Sequence, residues 1–122
     1  MSSTDFRKLV VWQRSKDLAV DIYKITGIGK LAKDYSLIDQ MRRASVSIPS
    51  NIAEGNDRDT NKESVRYLYI AKGSLAELMT QLVIANEFGY LEETEFNELE
   101  EKCMQLSKSI GALIKARKGF RE

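Results

Sequence analysis

The stretch ASVSIPSNIAEGN, residues 44–56, decides the fold, because it sets a proline inside what otherwise reads as a helix. A proline in a helix interior removes one backbone hydrogen bond and crowds the carbonyl four residues back, at a cost of about 3 kcal/mol. Ile48 and Ile52 nevertheless keep the register begun by Leu37, Met41 and Ala44, so the apolar stripe passes through Pro49 without slipping. A helix that stopped before Pro49 would leave fewer than two turns before Gly55, too short to hold alone. Ser45 and Ser47 lie close by, and their hydroxyls can meet carbonyls that the proline strands. The stretch is therefore read as the second half of one helix, about residues 35–55, kinked at Pro49. The alternative is a fresh helix begun by Ser47 with Pro49 in its first turn.

Downstream, Thr60 and Glu63 form a T-x-x-E capping box that opens a third helix over about 61–88, closed by Gly89. Its apolar positions cover two stripes: Val65, Leu68, Leu75, Met79 and Leu82 on one side, Tyr67, Ile70, Ala71 and Leu78 on the flank. A helix apolar over so much of its circumference is buried on several sides, part of that burial coming from another subunit. The last helix, about 92–117, places Phe96, Leu99, Cys103, Leu106, Ile110 and Leu113 at spacings of 3 and 4. Its acidic start (Glu92, Glu93, Glu95, Glu98) and basic end (Lys115, Arg117, Lys118) suit the helix macrodipole. Upstream, Val11, Trp12, Leu18, Ala19, Ile22 and Tyr23 give a first helix over about 10–26, stopped by TGIG. Four helices on short loops, with no strand-like alternation, predict one all-α domain over residues 1–122, an antiparallel up-down-up-down four-helix bundle.

Composition narrows the chemistry. The 122 residues are 43% hydrophobic and 30% charged with a net charge of only +1, so any basic site must come from local clustering. There is no histidine, which removes Ser-His-Asp and Cys-His catalysis and histidine-bearing metal sites. The single Cys103 offers neither an internal disulfide nor a thiolate cage, and fits a reducing compartment. The start lacks a signal-peptide run and no segment approaches a membrane span, so a cytoplasmic protein is expected. No catalytic residue, cofactor or metal is predicted; the carboxylates of 92–101 lack the calcium-loop pattern.

Several constellations stand out beside the core. Gln40, Ser47, Asn51 and Glu54 share a face of the second helix with Arg43, and read as a polar seam between helices or subunits, or as a ligand groove. Arg58, Lys62 and Arg66, with Tyr69 one turn on, could hold phosphates and stack a base, or form a solvated face with Asp57, Asp59 and Glu63. Arg42 and Arg43 point about 100° apart and make sense as part of a larger patch. The tail KARKGFR (115–121), with Lys115, Arg117 and Lys118, could grip an anionic polymer or simply complement the helix dipole. Gly73 costs about 1 kcal/mol in mid-helix and marks close approach of another backbone, in support of a contact with another subunit.

Taken together, LVVWQRSKDLAVDIYKIT, QMRRASVSIPSNIAEGN and YLYIAKGSLAELMTQLVIANEFGYL resemble the bacterial four-helix-bundle proteins called 23S ribosomal RNA intervening-sequence proteins, over nearly the whole chain. The resemblance implies a homopentameric ring. It also implies kinship with the accessory variability determinant protein of diversity-generating retroelements, which binds nucleic acid and a reverse transcriptase through basic surfaces. The expected function is thus a non-enzymatic oligomeric module binding RNA or an RNA–protein complex through Arg42, Arg43, Arg58, Lys62, Arg66, Lys115, Arg117 and Lys118. The alternative is a protein-interaction scaffold with no nucleic acid.

Overall fold

The computed structural model describes residues 5–119, which form four long α-helices: α1 (Val10–Ile25), α2 (Tyr35–Asn56), α3 (Asn61–Glu87) and α4 (Glu93–Lys118). Two short 3-10 turns, Phe6–Lys8 and Leu31–Lys33, precede α1 and α2 and carry no periodic signal of their own. Phe120 and Arg121 of the basic tail lie outside the described residues.

Each helix end has a local cause. Asp34 caps α2, its Oδ1 accepting from the Leu37 amide at 3.2 Å, and Thr60 caps α3 by accepting from the Glu63 amide at 3.2 Å. The Glu63 carboxylate turns toward Arg58 Nη1, 3.9 Å away, so half of the expected capping box is used. At the end of α3, Gly89 adopts φ +78° and its amide donates to the Asn86 carbonyl while the Tyr90 amide donates to that of Ala85, each at 3.0 Å. That pair of bonds is the Schellman stop, which a side-chain-bearing residue at Gly89 would strain.

The helix order around the bundle follows from cross-helix contacts. Arg42 of α2 meets Thr26 beside the end of α1, Ser47 meets Ser74 of α3, and Gly55 abuts Ser64. Arg117 near the end of α4 reaches Ser64 near the start of α3, and Lys102 reaches Asp21 of α1. Each sequential pair therefore runs antiparallel, and α4 closes back onto α1. The core is built from Leu18 and Ile22, Met41, Ile48 and Ile52, Leu68, Leu75, Leu78 and Leu82, and Leu106 and Ile110, each almost wholly buried. Burying a side chain of this size stabilises the fold by about 1.5–3 kcal/mol. Some expected apolar positions depart: Ile114 is buried in the last turns of α4 while Leu113 is only half-buried, and Tyr23 and Ile70 are exposed.

Two expectations need correction, and the close approach expected at Gly73 is met by no contact within the chain. Helix α2 does run unbroken through Pro49, but the nearby hydroxyls do not rescue the carbonyl of Ser45, the one facing the proline. Ser45 Oγ donates to the Arg42 carbonyl at 3.0 Å, and Ser47 Oγ lies 2.8 Å from Ser74 Oγ. Gly73 is exposed, and a β-carbon there would meet nothing of its own chain within 4 Å. Within the chain the close approach is at Gly55, where a β-carbon would lie 3.0 Å from the Ser64 carbonyl oxygen. Finally, α3 is long and apolar enough, by length and composition alone, to cross a membrane. Its leucines fill the bundle core, and that packing accounts for the apolar composition.

Candidate nucleic-acid interface

The basic residues singled out in the sequence divide into two groups by position. Arg42 and Arg43 lie in the first half of α2, roughly 20 Å along the helix from its C-terminus at 1.5 Å per residue. Arg42 is half-buried, donates Nε–H to Thr26 Oγ1 at 2.8 Å and stacks its guanidinium 4.7 Å from the centre of the Tyr23 ring. It tethers α1 to α2. Arg43 is exposed and paired with Asp39 one turn back at 3.0 Å, a contact worth a few tenths of a kcal/mol.

The remaining cations gather at one end of the bundle, where α2 finishes, α3 begins and α4 finishes. Arg58 is committed there: its guanidinium bonds Glu54, donates to Tyr67 Oη at 2.8 Å and lies 4.5 Å above the Tyr67 ring. Its Nε is buried without an acceptor among the described residues. Arg117 is half-buried and donates to Ser64 Oγ and, at 3.4 Å, to Asn56 Oδ1. Both acceptors are neutral, and burial lowers its pKa from the ordinary arginine value because the charge has lost water without gaining a carboxylate. Lys118 reaches over Tyr69, 3.5 Å from its hydroxyl and 5.7 Å from its ring centre.

Lys62, Arg66 and Lys115 are exposed and carry no ion pair or hydrogen bond among the described residues. This end of the molecule therefore presents cationic groups that no carboxylate pairs directly among the described residues, with exposed Asp57 and Asp59 in the adjoining α2–α3 connection and Tyr69, 49% exposed, beside them. Such a surface can neutralise phosphates and offer a ring face to an unstacked base.

The polar seam is assembled only at its centre. Asn51 Nδ2 donates to the Ser47 carbonyl at 2.8 Å and to its hydroxyl at 3.0 Å, and that hydroxyl meets Ser74 on α3. Gln40 is exposed without a partner among the described residues, and Glu54 is drawn off by Arg58. Sequence reasoning missed Ser64, Asn56 and Ser74, the neutral residues that hold the seam and Arg117. Ser64 and Ser74 occupy core-facing positions of an otherwise apolar α3 stripe, which is the signal that could have found them.

A histidine-free antiparallel bundle with one cationic end and a short polar seam between its two longest-packed helices belongs to the small all-helical proteins. Within that class, the chain belongs to the 23S rRNA-intervening sequence protein family, whose sequence pattern matches residues 7–112. Its fold is similar to the crystal structure of a protein of unknown function from the S23 ribosomal protein family of Bacteroides thetaiotaomicron. The two share 23% identity with a TM-score of 0.80, over 87% of this chain and 99% of that one. No curated protein sequence matches the chain significantly.

Proposed function

We propose that the chain is a non-enzymatic, cytoplasmic, homo-oligomeric module that binds RNA or an RNA–protein complex through the cationic end of its bundle. One observation carries this reading: Lys62, Arg66, Lys115 and Arg117 lie around one helix junction with no carboxylate partner among the described residues. The chain's net charge is only +1, so a local excess of this kind requires an uneven distribution rather than bulk basicity. A ring of five copies, as the family resemblance implies, would repeat that end fivefold and convert weak phosphate contacts into avid binding. Arg58 and Arg42 serve the fold in this reading, and the free lysines and Arg66 serve the ligand.

The test is a titration of labelled structured RNA at two salt concentrations. Log affinity is expected to fall with log salt at about −0.7 to −0.9 per phosphate neutralised. Lys62→Glu combined with Arg66→Glu should remove binding while the circular dichroism is unchanged. Absence of binding by the unaltered protein at low salt defeats the proposal.

A second reading, a scaffold for a protein partner, is favoured by the opposite end of the bundle. There Ile28, Tyr35 and Phe88 are 65%, 76% and 71% exposed, and Phe88 stacks on Tyr90 with ring centres 5.7 Å apart. Stoichiometric co-purification of a protein from the native host, resistant to nuclease, would support this reading in place of the first.

A further inference from the structure

Carboxylates are distributed unevenly along α3 and α4. No aspartate or glutamate occurs between Glu63 and Glu77 of α3, and none between Glu101 and the end of α4 at Lys118. The two acid-free stretches are neighbours, because the helices run antiparallel: Arg117 of α4 bonds Ser64 of α3, and Lys118 reaches Tyr69. Further along, the Lys72 ammonium lies against α4, where a β-carbon at Gly111 would stand 3.8 Å from its Nζ. Two lysines thus cross the α3/α4 seam in opposite directions, one from each helix.

The cationic surface therefore continues beyond the helix junction. On α4, Lys108, Gly111, Lys115 and Lys118 recur at spacings of 3 and 4 and share one face beside α3. Lys72 and Lys108 are exposed and, like Lys115, carry no ion pair or hydrogen bond among the described residues. At 1.5 Å per residue the track runs about 15 Å from Lys62 to Lys72 on α3, and about 15 Å from Lys118 to Lys108 on α4. Glu77 and Glu101 mark its far end. Tyr69 stands inside it. Arg58 covers the Tyr67 ring at 4.5 Å, whereas Tyr69 is 49% exposed and the Lys118 ammonium lies 5.7 Å from its ring centre.

A row of cations around one open aromatic ring suits one strand of nucleic acid better than two. In a duplex the bases are paired and stacked inside, where a surface ring cannot meet their faces. In a single strand the phosphates can follow the ammonium groups while a splayed base lies on the ring. We infer that the α3/α4 seam is a track for single-stranded RNA, entered at the cationic end of the bundle and running lengthwise to Lys72 and Lys108. One base sits on Tyr69, in place of the Lys118 ammonium. This inference rests on the RNA reading above; it names the strand state of the ligand and adds Lys72 and Lys108 to its contacts.

The experiment is fluorescence anisotropy of the intact chain with a labelled RNA of roughly 12 nucleotides that cannot pair with itself, alone and annealed to its complement. The single strand is expected to bind about tenfold more tightly than the duplex. Tyr69→Ala should weaken single-strand binding about tenfold and leave duplex binding unchanged, while Tyr69→Phe, which keeps the ring, should match the parent. Lys72→Ala combined with Lys108→Ala should reduce the single-strand salt slope by about 1.4, or about 0.7 for each lost phosphate contact. Lys24→Ala, exposed on α1, should leave that slope as it was. Equal affinity for the duplex, unchanged binding by Tyr69→Ala, or an unchanged slope in the lysine double variant overturns the track. The RNA reading survives any of these results if Lys62→Glu with Arg66→Glu still removes binding. If neither form of RNA binds the unaltered protein at low salt, both are overturned. Should Tyr69→Ala lose helicity by circular dichroism, the strand preference and the lysine double variant decide the outcome.

Discussion

Gly55 of α2 and Ser64 of α3 are in direct backbone contact: a β-carbon at residue 55 would stand 3.0 Å from the Ser64 carbonyl oxygen and 3.2 Å from Tyr67 Cβ. The contact lies where α2 gives way to α3, and it sets how closely the two helices meet beside the cationic end. Gly55→Ala must therefore push backbone against backbone, an overpacking expected to cost about 1–3 kcal/mol. Urea unfolding followed by circular dichroism reads this directly as a lower midpoint at unchanged slope.

Gly73→Ala should act in the opposite sense. The added methyl meets nothing of its own chain, and alanine is favoured over glycine in a helix interior by about 1 kcal/mol. The unfolding midpoint is expected to rise by up to that amount. If it falls, with loss of oligomer, then another subunit's backbone rests on Gly73, as its sequence context first suggested.

The contrast between these glycines shows what the sequence could and could not convey. Helix bounds were legible to within a residue or two because they are local matters: Asp34, Thr60 and Gly89 act on backbone groups next to them. The core was legible because burial follows a period of 3.6 residues. A glycine's neighbours, in contrast, are set by a different helix, and nothing around Gly55 or Gly73 in the chain distinguishes them. The same holds for the candidate site. Arg42, Arg58 and Arg117 look like any surface cation until folding places Thr26, Tyr67 and Ser64 beside them. The exposed group, Lys62, Arg66 and Lys115, keeps the character read from sequence because nothing folded against it.

That division makes a prediction for charge removal. Arg117→Ala leaves Ser64 and Asn56 without their shared donor in a half-buried place, and should cost about 1–3 kcal/mol in urea unfolding. Lys62→Ala and Arg66→Ala should each stay within about 0.5 kcal/mol of the parent. RNA affinity should order the other way, falling for the two exposed residues at full stability. A loss of stability at Lys62 equal to that at Arg117 would show that the two groups are not distinct.

Cys103 supplies a prediction with pH. It is buried among α4's core residues, and that burial pushes its thiol pKa from 9.0 up to about 12 in the folded chain. Below pH 9 both folded and unfolded chains hold the proton, and the residue contributes nothing to pH dependence. Between about pH 9 and 12 the unfolded chain has released it while the folded chain keeps it, so stability must fall as pH rises. The slope approaches about 1.4 kcal/mol per pH unit for one proton. Tyrosines and lysines titrate in the same range, so the comparison is with Cys103→Ala, whose unfolding midpoint should change less between pH 8 and pH 10.5 than that of the parent. Alkylation gives an independent check: the native thiol should resist iodoacetamide at pH 8 and react freely once urea unfolds the chain. Rapid modification of the native protein would mean that α4 opens at Cys103 far more readily than its packing implies.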